Sequence, residues 1–177
     1  MFNFFSNVIL RYRFKKKIKG LSKQSKKTIK TLRSMVVILP QDHSIEEKVF
    51  IELSKELNIS IKRITIIVFG KGEILKDNFN LIKTIFCSKE QLSIIGNFTE
   101  EMNIFFQKKS DLLVNYFSQK DPFPELISIN CKSKLRVGFY NANLKINDII
   151  LKISPEMTDL FLSESKNYIN AFLENRK

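Results

Sequence analysis

Residues 111–140 read DLLVNYFSQKDPFPELISINCKSKLRVGFY, and this stretch decides the fold class of the chain. Its first seven residues are almost continuously apolar, a pattern typical of a strand that is covered on both faces of a parallel sheet. Residues 135–140 alternate between apolar and other side chains, which predicts a second strand. The sequence between them contains no tight turn, so a hairpin is not expected.

Residues 118–134 connect these two strands and have the features of a short helix. Asp121 and Pro122 offer an N-cap and a proline at the first helical position, and Pro124 offers an alternative start one turn later. The side chains that can face a core are Leu126, Ile127 and Ile129. Because the connection is long enough for a crossover helix, the stretch predicts a β-α-β unit with parallel strands.

The rest of the chain continues this alternation of strands and helices. Further buried strands are predicted at 35–39, 64–69, 84–87 and 148–153. Helices are predicted from a capping box at 44–47 to residue 58, from 99 to about 109, and from the Ser154-Pro155-Glu156 start onward. The predicted core face of the last helix consists of Met157, Leu160, Phe161, Tyr168, Phe172 and Leu173. The fold class is therefore a three-layer α/β sandwich with a mostly parallel sheet of five or six strands.

Charge is distributed unevenly along the chain. Residues 1–34 contain eight lysines and three arginines but no acidic residue, so they carry +11 of the net charge of +12. The remainder contains 19 basic and 18 acidic residues. We therefore expect a basic helical arm at 1–34 and a single α/β domain at 35–177. The arm is expected to contain an amphipathic helix to about residue 19, with an apolar side at Phe2, Phe5, Ile9 and Tyr12.

The basic arm is the strongest functional signal in the sequence. Its cations are interleaved with Tyr12, Phe14 and Ile18, which suits contacts to phosphates with aromatic rings available for stacking. The predicted partner is RNA or the ribosome. The candidate nucleic-acid or anion-binding residues are Arg11, Arg13, Lys15, Lys16, Lys17, Lys19, Lys23, Lys26, Lys27, Lys30 and Arg33.

Two other interpretations of the arm remain open. The lysines could lie on an anionic membrane surface while Phe2, Phe5 and Ile9 enter the lipid. Alternatively, the arm is a solvated tail of a lysine-rich chain, although lysine richness does not explain why the segment lacks every acidic residue.

Composition points to a cytoplasmic protein. No apolar run reaches the roughly 18 residues that span a bilayer. The positive charges follow the apolar N-terminus instead of preceding it, so no signal peptide is expected. Cys87 and Cys131 lie far apart in apolar segments, which favours buried free thiols in a reducing compartment.

The sequence offers little that indicates catalysis. It contains neither a dinucleotide-binding fingerprint nor a P-loop nor a metal-ligand pattern, so no catalytic residue, cofactor or metal is predicted. If the domain has a ligand crevice, open α/β sheets place it beyond the carboxyl ends of the strands. The possible crevice residues are His43, Lys71 and Arg136, for which a turn histidine, a turn lysine and an arginine paired with Asp111 or Asp148 are the favoured interpretations.

Several segments resemble a known family. They are FCSKEQLSIIGNFT at 86–99, DLLVNYF at 111–117, PELISINCKSKLRVGFYN at 124–141, DIILKI at 148–153 and FLSESKNYINAFL at 161–173. The chain resembles a small family of Bacteroidetes proteins with no established activity, built around an S-K-x-[LF]-R-V-G core found here at 133–138. This resemblance implies the fold and no site residues.

The segments DLLV and RVGF are also similar to the N-terminal half of lipopolysaccharide heptosyltransferases. The chain lacks room for the second nucleotide-binding domain of those enzymes, which argues against glycosyl transfer. We therefore expect a binding protein without enzymatic activity that docks on RNA or a ribonucleoprotein. A small enzyme or binder of a phosphorylated ligand is the alternative, and membrane association is a third.

Overall fold

The computed structural model describes residues 2–21, 29–42, 45–70 and 80–174, with the side chains of 2–6 left aside. The strands are β1 (Met35–Pro40), β2 (Ile64–Gly70), β3 (Lys83–Ser88), β4 (Lys109–Asn115), β5 (Lys132–Phe139) and β6 (Ile149–Leu151). The α-helices are α1 (Phe2–Leu21), α2 (Glu47–Glu56), α3 (Glu100–Gln107), α4 (Pro122–Asn130) and α5 (Thr158–Glu174). Among these described helices none is long and apolar enough to cross a membrane.

The six described strands form one parallel sheet in the order β3-β2-β1-β4-β5-β6. This is the strand order of the doubly wound Rossmann fold, in which the sheet is extended outward in both directions from its first strand. The predicted β-α-β unit is confirmed: β4 pairs in parallel with β5, and α4 connects them. Asp121 is the N-cap of α4, and its carboxylate accepts the Phe123 backbone N–H at 2.9 Å.

Helices cover both faces of the sheet and make two separate apolar cores. One core joins α2 and α5 to the sheet, and the other joins α1, α3 and α4 to the opposite face. The sheet side chains alternate between them, so that Val37 and Leu39 face the first core and Ile38 the second. The three-layer prediction is therefore confirmed.

Tyr116, directly after β4, is at the centre of the first core and is fully buried. Its ring makes edge contacts with Phe50 of α2, Phe139 of β5 and Phe161 of α5, at centroid distances of 5.5, 5.1 and 4.8 Å. Its hydroxyl donates to the carbonyl oxygen of Pro155 at 2.5 Å. One side chain therefore connects both helices of this layer to the sheet.

The predicted apolar side of the N-terminal helix is wrong at Tyr12, while Ile9 is half-buried and the side chains of Phe2 and Phe5 lie outside the described residues. Leu10 and Phe14 are buried, and Ile18 and Leu21 pack beside them, whereas Tyr12 is 67 % exposed. The reason is that α1 packs against α4, and the side chains at i, i+4 and i+8 form the stripe that meets it. The division at residues 34 and 35 into an arm and a domain stays a prediction, although Leu10 and Phe14 are part of the core.

The predicted start of the last helix is also wrong. Residues 154–157 form a turn, in which the Met157 N–H donates to the Ser154 carbonyl, and α5 begins only at Thr158. The carbonyl of Pro155 in this turn accepts the Tyr116 hydroxyl. The core face of α5 is correspondingly shifted: Phe161, Ser165 and Ile169 are buried, while Met157, Leu160 and Tyr168 are exposed.

Glu47, the acidic residue of the predicted capping box, does not cap α2 but binds the backbone before β3. Glu47 is the first residue of α2, and its carboxylate accepts backbone N–H groups of Asn80, Leu81 and Ile82. The other member, Ser44, lies outside the described residues. Glu47 therefore fixes the chain that enters β3.

Candidate anion-binding site

Basic side chains mark the start of almost every strand. Because all six strands are parallel, their amino ends meet at one edge of the sheet, which we call the amino edge. Cations that stand at or just before the starts of β1 to β5 are Arg33, Lys62, Arg63, Lys83, Lys108, Lys109, Lys132 and Lys134. The fold therefore gathers at one edge charges that are scattered along the sequence.

A cavity of about 490 Å³ opens at this edge, and we call it the basic cavity. A second cavity of about 120 Å³ shares Ser34, Arg63 and Lys109 with it. Five cations line the basic cavity against one carboxylate, Asp111, and the five are Lys30, Arg33, Arg63, Lys109 and Lys134. All five cationic residues are exposed to solvent, although Lys134 is also paired with Asp111.

The segment 29–34 forms one wall of the basic cavity. Ile29 and Leu32 are buried in the core, whereas Lys30 and Arg33 are exposed. The segment is also tied to β4, because the Leu112 N–H donates to the Ser34 carbonyl at 3.0 Å. The wall therefore has a fixed position relative to the sheet.

Asp111 is the organising carboxylate of the basic cavity. One of its oxygens contacts Lys134 Nζ at 2.5 Å, and the other accepts the Arg33 backbone N–H at 2.7 Å. Burial raises the pKa of Asp111, but the bonds from Lys134, Arg33 and Ser34 outweigh it and hold the pKa below its usual value. The charged carboxylate thus links Lys134 of β5 to segment 29–34.

The lowered pKa of Asp111 predicts a pH dependence of stability. The stabilisation by its charged form is fully present above the unfolded-state pKa of about 3.9 and is lost as the pH falls through the lower folded-state pKa. We expect the difference in unfolding free energy between the wild type and Asp111→Asn to be constant from about pH 5 upward and to shrink below about pH 4. Urea titrations across this range test it, and a difference that persists unchanged in acid would contradict it.

The C-terminal end of α1 reaches the same edge. Lys17 Nζ donates to Asn130 Oδ1 at the end of α4, directly before β5. Burial and then the nearby Arg13 lower the pKa of Lys17. Other α1 cations with exposed side chains are Arg11, Lys15, Lys16 and Lys19, whereas Arg13 donates to the Ile95 carbonyl. Phe14 is buried and is not available for stacking on a base.

The sequence predictions meet the structure only in part. Of the eleven predicted cations the structure brings Lys30 and Arg33 together in the basic cavity. Lys23, Lys26 and Lys27, as well as His43 and Lys71 of the predicted crevice, lie outside the described residues. The side chains of Phe2 and Phe5 are also outside them, so a membrane contact by these two stays a prediction.

Arg136 lies within β5, where it is paired with Leu113, and its guanidinium is buried. It donates to the Ser128 carbonyl at 2.8 Å and to the Cys131 carbonyl at 2.6 Å, both at the C-terminal end of α4. Burial lowers its pKa, and the neighbouring Asp148 opposes that shift. The expected partner Asp111 is bound to Lys134 instead, and Asp148 accepts the Arg136 backbone N–H.

Among the described residues, aromatic rings lie at the carboxyl ends of the central strands. The strand order reverses between β1 and β4, where ligands of Rossmann folds bind. Here the Phe69 ring makes edge contacts with Phe117 at 5.9 Å and with Phe123 at 6.5 Å. Gln41 covers Gly70, where a Cβ would clash with its side chain. In the described part of the chain, no cluster of acidic, histidine or cysteine side chains could hold a metal.

Sequence reasoning missed Arg63, Lys109 and Lys134 because they belong to a domain with a net charge near zero. The feature that could have predicted them is their position along the chain. Each of these residues stands at or next to a predicted strand start, and a parallel sheet brings such positions together. The near-zero net charge of the domain therefore gave no sign that its basic residues are gathered at one edge of the sheet.

The fold and the site together define a doubly wound α/β protein with a basic cavity at the amino edge of its sheet. A family model with the description "Family of unknown function (DUF6913)" matches residues 7–172, so the chain belongs to this family. The predicted resemblance to a family of unknown function is thereby confirmed. Searches of curated proteins and of solved structures each found no match.

Proposed function

We propose that this protein binds RNA without enzymatic activity, and that the amino edge of the sheet is its RNA-binding surface. The observation that carries the proposal is the basic cavity, in which five exposed cations from four separate segments surround one neutralised carboxylate. Asp111 is already bound to Lys134 and Arg33, so the remaining charge is strongly positive. Such a surface attracts phosphates and releases their counterions.

The extent of the cations favours a polymer over a small phosphorylated ligand. Beyond the cavity, Lys83, Lys108 and Lys132 continue the positive charge along the strand starts, and Lys17 marks where α1 joins the edge. A single phosphate would use only a few of these groups, whereas a nucleic-acid backbone presents a charge at each nucleotide. The alternative of a phosphorylated ligand at the carboxyl ends has less support among the described residues, where aromatic rings pack against one another.

Cellular RNA is encountered in the cytoplasm, and the state of the thiols supports that compartment. Cys87 and Cys131 are free and buried, and burial raises the pKa of both to about 12. Such thiols are unreactive, and free thiols are typical of proteins from reducing compartments.

The test measures fluorescence anisotropy of a labelled single-stranded RNA over a range of salt concentrations. Arg63→Gln/Lys109→Gln removes two cavity charges that make no other described contact beyond lining it. We expect weaker binding and a slope of log K against log[salt] that is smaller by about 1.4, because each lost phosphate contact on a single strand removes about 0.7. Full-length protein is used because deletion of α1 would expose the core around Leu10 and Phe14.

The matched control is Lys48→Gln/Lys152→Gln, which removes the same charge from exposed positions toward the other edge of the sheet. Its salt slope should equal that of the wild type. Equal losses in both variants would mean that only net charge matters, and the proposed surface would then be wrong. The same conclusion follows if the wild type does not bind RNA at low salt.

A further inference from the structure

Residues 93–97 form a tight turn that presents two isoleucines to solvent. The turn is closed by the Ser93 N–H, which donates to the Asn97 carbonyl at 2.8 Å, and by the Gly96 N–H, which donates to the Ser93 carbonyl at 2.8 Å. Its tip holds Ile94 and Ile95, which are 93 % and 59 % exposed. A well-bonded turn that exposes two adjacent isoleucines keeps an apolar projection in water at a cost in free energy.

The turn is fixed against α1. Arg13 Nε donates to the Ile95 carbonyl at 2.9 Å, and a Cβ at Gly96 would lie 3.0 Å from Cγ2 of Ile9. Gly96 itself has a positive φ of 76°, a conformation in which a larger side chain would be strained. The turn and α1 therefore form one continuous surface.

On α1, this surface continues with exposed apolar and basic side chains. Tyr12 is 67 % exposed and Val8 52 % exposed. Tyr12 and Lys16 follow Ile9 and Arg13 by three residues, so helical geometry places them beside the residues that contact the turn. The cations Lys15 and Lys16 are exposed, and residues 2–21 contain no acidic side chain. An apolar tip thus lies next to a helix whose exposed charges are all positive.

We propose that the 93–97 turn and the exposed face of α1 dock on an anionic phospholipid surface. Ile94 and Ile95 enter the boundary between headgroups and acyl chains, and the α1 cations contact lipid phosphates. Charge complementarity favours a bilayer over a neutral protein partner. None of the described residues that line the basic cavity belongs to the turn or to α1, so this surface does not overlap with the cavity.

The test is flotation of the full-length protein with vesicles of phosphatidylcholine, with and without phosphatidylserine. We expect the wild type to float only with the anionic vesicles. Ile94→Ser/Ile95→Ser should lower the binding constant by about tenfold or more, since two isoleucines no longer leave water. The control Met157→Ser/Leu160→Ser removes two exposed apolar residues from the opposite face and should float like the wild type.

Two further variants make the test decisive. Arg63→Gln/Lys109→Gln should float normally, and Ile94→Ser alone should melt at the wild-type temperature because its side chain is 93 % exposed. The proposal is overturned if the wild type does not float, if the double isoleucine variant floats like the wild type, or if the cavity variant loses binding to the same extent. Unchanged RNA affinity of the isoleucine variant would show that the two surfaces act independently.

Discussion

Tyr116→Ala is expected to lower the free energy of unfolding by about 4 kcal/mol, the usual cost of truncating a buried aromatic side chain. The side chain is fully buried and its ring contacts Phe50, Phe139 and Phe161, so its truncation leaves a cavity that these aromatic rings fill only in part. A domain of this size loses about 3 °C in Tm per kcal/mol, which predicts a Tm about 12 °C lower. Thermal and urea unfolding measure both quantities.

Tyr116→Phe separates the hydroxyl from the ring. It keeps the aromatic contacts but leaves the Pro155 carbonyl without this donor, and we expect a loss of about 1–2 kcal/mol. The effect should be local to the turn at 154–157, which positions the start of α5. If Phe and Ala at this position were equally destabilising, the ring contacts would contribute little and the hydroxyl would account for the whole effect.

Arg136→Met is expected to destabilise the fold by about 2 kcal/mol, and to leave RNA binding of the folded protein unchanged. Methionine retains much of the apolar stem but removes the donors to the Ser128 and Cys131 carbonyls, which are then buried at the end of α4 without them. The positive charge near a helix C-terminus is lost as well. The substitution also removes the desolvation cost of burying a charged guanidinium, which offsets part of this loss of stability.

Arg136→Lys is the control for charge. It keeps the cation but cannot reproduce the forked donation to two carbonyls, so its stability should lie between those of the wild type and the methionine variant. An Arg136→Met variant at least as stable as the wild type would show that burial of the guanidinium costs more than its hydrogen bonds contribute. A large loss of RNA affinity in a folded variant would instead reassign Arg136 to ligand binding.

The fold was readable from the sequence because its parallel strands are buried on both faces. Such strands leave continuous apolar runs, as at 111–117, and the Asp121-Pro122 cap has an unambiguous physical meaning. The start of the last helix was predicted wrongly because a contact with a distant part of the chain determines the local structure. Ser154 and Pro155 satisfy the local rules for a helix start, but the Pro155 carbonyl is bound by a tyrosine 39 positions away.

The candidate site was only half predictable. The basic cluster in the sequence predicted Lys30 and Arg33 as anion-binding residues. Arg63 and Lys134 come close to them only because their strands pair in the sheet, which the sequence does not show directly. The role of Asp111 was hidden for the same reason, since its partner Lys134 belongs to the next strand. The charges of helix α1 predicted a basic arm, but they gave no sign that its buried leucine and phenylalanine pack in the core beside α4.

The strand order also has a consequence for how the chain folds during synthesis. Both central strands, β1 and β4, pair with each other, but β4 is made only after β2, β3 and α3. Until then β1 has one unpaired edge with apolar side chains on both faces, which is the kind of edge that recruits other chains. Long crossover connections make this closure intrinsically slow. The nascent chain therefore passes through an aggregation-prone intermediate that contains only part of the sheet. Pairing of β4 with β1 covers the exposed edge.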